Sequence, residues 1–138
     1  MRFLTRLRDA IFNKQDEPVK NINKYLRSVE KELGEAKAEL SAVMDEELRC
    51  KRELDECNEE IKKLQDYADR AVEKGQENNL QQYSERKEVL LKKAVILQSA
   101  YETASANTAR VREIHDRVVN DLEGINARKA EIKAKLGK

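Results

Sequence analysis

Side chains able to do chemistry are few in this chain, and their spacing works against catalysis. His115 is the sole histidine, so a histidine-based triad or a multi-histidine metal site is excluded. Cys50 and Cys57 stand seven residues apart, which on a helix is about 10 Å along the axis and too far for a mutual disulfide. No further ligands cluster around them, and they read as small apolar fillers. Asp45, Glu46 and Glu47 are consecutive, and neighbouring helix positions point apart, so their carboxylates cannot converge. Neither a Gly-Lys-Ser/Thr phosphate loop nor Gly-x-Gly-x-x-Gly is present. These residue types and spacings predict no enzyme, no cofactor and no metal.

One segment does carry chemistry, of the surface kind. At 100° per residue over residues 1–12, Phe3, Leu4, Leu7, Ala10 and Ile11 share one stripe, while Arg2, Thr5, Arg6, Arg8 and Asp9 take the rest of the circumference. An apolar stripe rimmed by arginines suits a helix lying in a membrane interface, with guanidinium groups reaching anionic head groups. Phe3, Leu4, Leu7 and Ile11 contribute at most about 2 kcal/mol each on burial, and Arg2, Arg6 and Arg8 about 1 kcal/mol each. Ordering the segment costs on the order of 1 kcal/mol per residue, which nearly cancels the gain. A lone chain therefore binds a membrane weakly, and many chains held together bind it firmly. The competing use of the stripe is packing onto the rest of the chain or onto a partner chain.

What must position that segment is a heptad pattern that runs through the sequence twice. From Val19 the seam passes through Ile22, Leu26, Val29, Leu33 and onward to Ala71, and after Gly75 it resumes at Leu80, Tyr83 and Lys87 and reaches Leu136. Apolar residues fill 28 of its 33 positions, where the overall 39% would place about 13. Steps of three and four keep one stripe on one side of a helix. Two helices of similar length joined by a short turn bury such stripes against each other. The predicted fold is all-α, a long antiparallel two-helix coiled-coil hairpin preceded by a short amphipathic helix. Its parts are the helix over 1–12, a linker over 13–17 and the hairpin over 18–137. Within the hairpin we expect a first helix over 18–74, a turn over 75–79 and a second helix over 80–136.

Local signals agree with those bounds. Pro18 suits the first position of a helix, where its missing N–H costs nothing. Gly75 suits a left-handed position after a helix, and Asn78 or Asn79 can cap the next one. Reflection about position 75 or 76 sets Cys50 near Tyr101 and Val19 near Ile132. Glu47, Lys87, Thr108, His115 and Lys129 fall on the seam, with Leu48 and Ile114 beside two of them. A small rotation burying Leu48 and Ile114 instead would read as a stutter in the supercoil.

Composition sets outer limits. Charged residues make up 40% of the chain and aromatics 4%, with one Pro and no Trp, a mix typical of coiled coils rather than compact cores. The net charge of +1 is too balanced to suggest nucleic-acid binding. Residues 18–74 sum to −3 and residues 77–138 to +3, which gives the two helices some attraction across the seam and offers a way for hairpins to stack side by side; the competing reading is a pair of solvated faces. The longest apolar run, Ala94-Val95-Ile96-Leu97, is far below the ~18 residues a spanning helix needs, and no secretory signal is present.

The order of these pieces resembles a known family. Met1-Arg2-Phe3-Leu4-Thr5-Arg6-Leu7, the linker ending Asp16-Glu17-Pro18, and Tyr25-Leu26-Arg27-Ser28-Val29-Glu30-Lys31-Glu32-Leu33 look like the start of phage shock protein A and its chloroplast and cyanobacterial relatives. The stretch from Tyr67 through Gly75 to Leu80, followed by Glu85-Arg86-Lys87, is similar to that family's hairpin tip. The resemblance implies a peripheral membrane protein at the cytoplasmic face of the bacterial inner membrane, one that senses or repairs damage. It implies homo-oligomers built from side-by-side hairpins, as in bacterial ESCRT-III relatives, an anionic phospholipid surface as ligand, and in some bacteria restraint of an AAA+ transcription activator. The family's membrane helix carries over by position to Phe3, Leu4, Leu7 and Ile11. Two departures stand out: members usually continue for several further helices, whereas this sequence ends at Lys138, and the linker reads Asp-Glu-Pro where Glu-Asp-Pro is more frequent. The expected function is a membrane-binding scaffold of the membrane-stress response; the alternatives are a soluble coiled-coil module that restrains an AAA+ activator and an unrelated spacer.

Overall fold

The computed structural model describes residues 18–136. They form two α-helices, α1 over Pro18–Glu73 and α2 over Glu77–Leu136, that pack against each other. The amphipathic helix expected over 1–12 and the linker over 13–17 lie outside the described residues. Every seam position from Ile22 to Ile132 is buried or half-buried, polar ones included, while Leu136 is exposed. The period of the sequence therefore reads out directly as the buried stripe. Leu48 and Ile114 remain 58% and 40% exposed, so the seam keeps Glu47 and His115 and the stutter does not occur. A half-buried Glu47 can lay its methylenes in the seam and leave its carboxylate in water.

Packing divides the helices into two units, each with its own interior. A terminal unit comprises the described residues of the chain's two end portions, 18–41 and 110–136. Its core joins Ile22 and Val29 of α1 to Val118 and Ile125 of α2, flanked by Tyr25, Leu26, Leu33, Leu122 and Ile132. Burying each such aliphatic side chain is worth roughly 1.5–3 kcal/mol. A turn unit comprises residues 42–109. Its interior is built from smaller groups: Cys50, Leu54, Cys57, Ala68, Ala71 and Ala104, with Thr108 among them.

Polar contacts fix the register of the turn unit. The Thr108 hydroxyl donates to the Val43 carbonyl at 3.1 Å, the Cys57 thiol donates to the Leu90 carbonyl at 3.4 Å, and the Lys87 ammonium donates to Gln65 Oε1. Rising numbers on α1 meet falling numbers on α2, so the helices run antiparallel, within about one turn of reflection through position 75. Thr108 and Lys87 are two of the three polar seam residues of this stretch, beside Glu47, and each of the two has found a partner that offsets the cost of burying it.

The turn occupies Lys74–Gln76. Gly75 holds φ +67°, a left-handed conformation that a side chain disfavours. The Gln76 N–H reaches the Ala71 carbonyl at 2.9 Å and the Gly75 N–H reaches the Val72 carbonyl at 3.2 Å, the paired closure of a Schellman ending. Gln76 then opens α2, its carbonyl accepting from the Leu80 N–H at 3.1 Å, while the Asn79 amide donates to its Oε1 at 3.1 Å. One residue thus ends one helix and begins the next. The expectation of a turn over 75–79 is corrected by this: α2 starts at Glu77 rather than 80, and Asn78 and Asn79 lie inside its first turn.

Candidate interaction surface

The filled seam leaves several large apolar residues unused. On the turn unit Tyr67, Val72, Val89, Leu91, Val95 and Ile96 are all exposed, Val95 to 71% and Ile96 to 69%. Helical spacing sorts them. Tyr67 and Val89 each stand one residue before a seam position, and Ile96 follows Val89 by seven, so these share one flank of the pair. Val72 and Leu91 each stand one residue after a seam position, which sets them on the opposite flank.

The first flank holds an open groove of about 600 Å³, with Leu64, Tyr67, Val89 and Leu90 along it and Glu60, Lys63, Glu85 and Arg86 at its rim. The rings of Tyr67 and Tyr83 lie 5.6 Å apart at a tilt of 39°, within the range for favourable aromatic pairs. The opposite flank has a smaller recess of about 300 Å³ that includes Ala68, Val72, Leu80 and Leu91 and also the Lys87 that binds Gln65. The larger groove is apolar with both signs of charge on its edges, a form suited to the apolar ridge of another helix.

Electrostatics elsewhere on the unit is local. Arg49 bridges Glu46 and, at 2.7 Å, Glu53 on the exposed side of α1, and its hydrogen bond holds the Glu46 carboxyl below the usual carboxylate range. Burial pushes the Cys50 thiol up, with the Glu46 charge adding to the effect. A buried thiol so raised is a poor nucleophile. His115 is half-buried, with Nδ1 3.1 Å from the Asp116 carboxylate. Among the described residues no three of His, Cys, Asp and Glu gather as metal ligands, and no helix is long and apolar enough to cross a membrane.

The residues expected to bind membrane, Arg2, Phe3, Leu4, Arg6, Leu7, Arg8 and Ile11, lie outside the described residues. Gly75 sits in the turn, and Asn78 and Asn79 lie in α2 beside it. Sequence reasoning passed over Tyr67, Val72, Val89, Leu91, Val95 and Ile96 as contact residues. The signal was present: each is a large apolar side chain that the seam leaves out, and Val95-Ile96 form the middle of the longest apolar run.

No protein-family model matches the chain. Over 127 residues, 92% of its length, it is 40% identical to the Phage shock protein A homolog of Bacillus subtilis strain 168. The chain spans 56% of that relative's length.

Proposed function

The chain belongs to the phage shock protein A family, and from that premise we propose that it is a peripheral membrane scaffold that self-assembles to stabilise or remodel the bacterial inner membrane from its cytoplasmic face. In this reading residues 1–12 are the lipid-binding element. Phe3, Leu4, Leu7 and Ile11 enter the acyl boundary and Arg2, Arg6 and Arg8 contact anionic head groups. The helical pair serves as the body through which copies join.

The observation that carries the reading is an apolar surface left over after the seam is complete. Val89 and Ile96 on α2 and Tyr67 on α1 are exposed on one flank although the interior beneath them is already packed. Exposed apolar side chains gathered on one flank mark a site of association. A second copy supplies what the groove lacks, an apolar helix face with charges at its edges. Assembly then does for lipid binding what a lone segment cannot, since each further copy adds a tethered contact at high effective concentration.

The test is co-sedimentation with vesicles of phosphatidylglycerol and phosphatidylcholine. The full chain is expected to pellet with them, and a chain starting at Pro18 is expected to stay in the supernatant. Leu7→Glu should abolish binding while leaving helicity unchanged. Equal pelleting of the shortened chain would remove residues 1–12 from the mechanism.

A further inference from the structure

The terminal unit contains a covered flank that its two helices do not account for. On α2, the heptad phase one residue before a seam position is occupied by Arg86, Lys93, Ala100, Asn107, Ile114 and Arg128, and all six are exposed. Asp121 holds the same phase and is 8% exposed. On α1 the phase of Asn21 is exposed at every later repeat, from Ser28 to Arg70, yet Asn21 is half-buried. Tyr25, also half-buried, packs against the core between them. Tyr25 and Asp121 each precede a seam leucine, Leu26 and Leu122, and residues at that phase line one flank of an antiparallel pair.

The polar atoms here are sealed and unsatisfied. Asn21 Nδ2 and Asp121 Oδ2 have less than 1 Å² of exposed surface each and no hydrogen-bond partner among the described residues. Burial raises the Asp121 carboxyl above the usual range, as happens when a carboxylate loses water. A buried carboxylate calls for a cation, and a buried amide N–H calls for an acceptor. Two helices that leave this phase open in every other repeat cannot themselves be the cover.

We propose that this flank is the off-membrane berth of the chain's own residues 1–12. Charge and reach both select that segment. It carries Arg2, Arg6 and Arg8 against a single acidic residue, Asp9, so it brings positive charge to a flank that buries the Asp121 carboxyl. Its apolar stripe finds Tyr25 and the edge of the core around Ile22 and Val118. A helix of twelve residues is about 18 Å long, close to the ~17 Å from Pro18 to Val29 along α1. Five linker residues, 13–17, suffice for the reversal, since an extended chain advances about 3.4 Å per residue. The proposal rests on the reading of residues 1–12 as the lipid-binding element and adds its regulation: the surface that enters the membrane is the surface stored against α1 and α2. Lipid must then compete with the berth, and apparent affinity falls by the fraction of chains that are open.

The experiment measures a distance in the full chain. With Cys50→Ala and Cys57→Ala to remove native thiols, spin labels are placed through Thr5→Cys and Gly124→Cys. Gly124 is exposed and an added Cβ there meets nothing within 4 Å. Without vesicles a single narrow distance is expected, unchanged when labelled chain is diluted into unlabelled chain. Asp121→Lys should broaden it at unchanged helicity. If nine chains in ten are closed, Asp121→Lys should also tighten binding to phosphatidylglycerol-containing vesicles about tenfold. A broad distribution in the chain with native Asp121, a narrow one lost on dilution, or a narrow one that survives Asp121→Lys overturns the berth. Failure of the two readings is separable: a narrow distance with no vesicle binding defeats the lipid-binding role alone, and vesicle binding with a broad distance defeats the berth alone.

Discussion

The two units use the same seam to different ends. In the terminal unit the apolar content is inside: the four largest fully buried side chains of the described residues, Ile22, Val29, Val111 and Ile125, all belong to it. In the turn unit the buried seam is rich in alanine and cysteine, and the large apolar groups Met44, Leu48, Tyr67, Val72, Val89, Leu91, Val95 and Ile96 face outward. Among the described residues of the terminal unit only Ile114 and Leu136 do so. Volume inside stabilises a fold, whereas volume outside is available to another chain. One stretch of the coiled coil therefore keeps its large apolar groups inside and the other exposes them.

Substitution in the terminal core is the strongest way to break that contrast. Ile125→Ala removes a side chain with no exposed surface from a cluster with Ile22, Val29 and Val118. Loss of about 2–5 kcal/mol of unfolding free energy is expected from the missing transfer energy plus the cavity, measured by urea denaturation followed through helicity. A loss below about 1 kcal/mol would mean that the terminal core is not the stabilising one. The turn unit should fail in the opposite way, by excess. Ala71 is 3% exposed, and Ala71→Leu forces a larger group where the helices approach through small ones, costing about 1–3 kcal/mol. Reaction of Cys57 with a thiol reagent reports this locally, since its buried thiol becomes accessible as the unit opens. Unchanged labelling would indicate that the small residues leave slack.

Glycines give a smaller effect with opposite signs in the two units. Gly75 is left-handed, so Gly75→Ala should destabilise the turn by about 1 kcal/mol. Gly34 lies within α1 in the terminal unit with open space where a Cβ would go, so Gly34→Ala should stabilise by about 1 kcal/mol. Thermal denaturation of the two variants separates the predictions: a Gly75→Ala chain that melts no lower than the parent would contradict the left-handed assignment of Gly75, and a Gly34→Ala chain that melts lower would contradict the open space at Gly34.

These contrasts show which parts of the molecule were legible in the sequence. The seam was, because a period of three and four is a property of the chain itself: even Glu47 and Lys129, wrong by residue type, are half-buried because their phase is right. The turn was legible at Gly75 and misjudged beyond it. Asn78 and Asn79 have the side chains of caps, but the Schellman closure already recruits Gln76, and the backbone resumes its helix there. Asp121 was not legible at all. Its phase is exposed in the other repeats of α2, so the heptad pattern gives no sign that it is buried. The same holds for Tyr67, Val89 and Ile96: a sequence tells which helical faces are apolar, not which of them the chain covers by itself.

The least costly substitution for the fold is the most telling about the turn unit. Ile96 is 69% exposed, and Ile96→Ser should change unfolding free energy by no more than about 0.5 kcal/mol, because little transfer energy is at stake in an isolated chain. If the outward-facing residues serve association, the same variant should shift sedimentation velocity toward smaller species at equal concentration, and Val89→Ser, on the same flank, should do likewise. Ile114→Ser in the terminal unit offers the control, being 40% exposed and apolar but outside the patch. Equal losses of association in all three would mean that exposed apolar area alone governs self-contact. A loss confined to Ile96 and Val89 ties assembly to the flank that carries the groove at Tyr67, and separates the part of the coiled coil that folds from the part that joins.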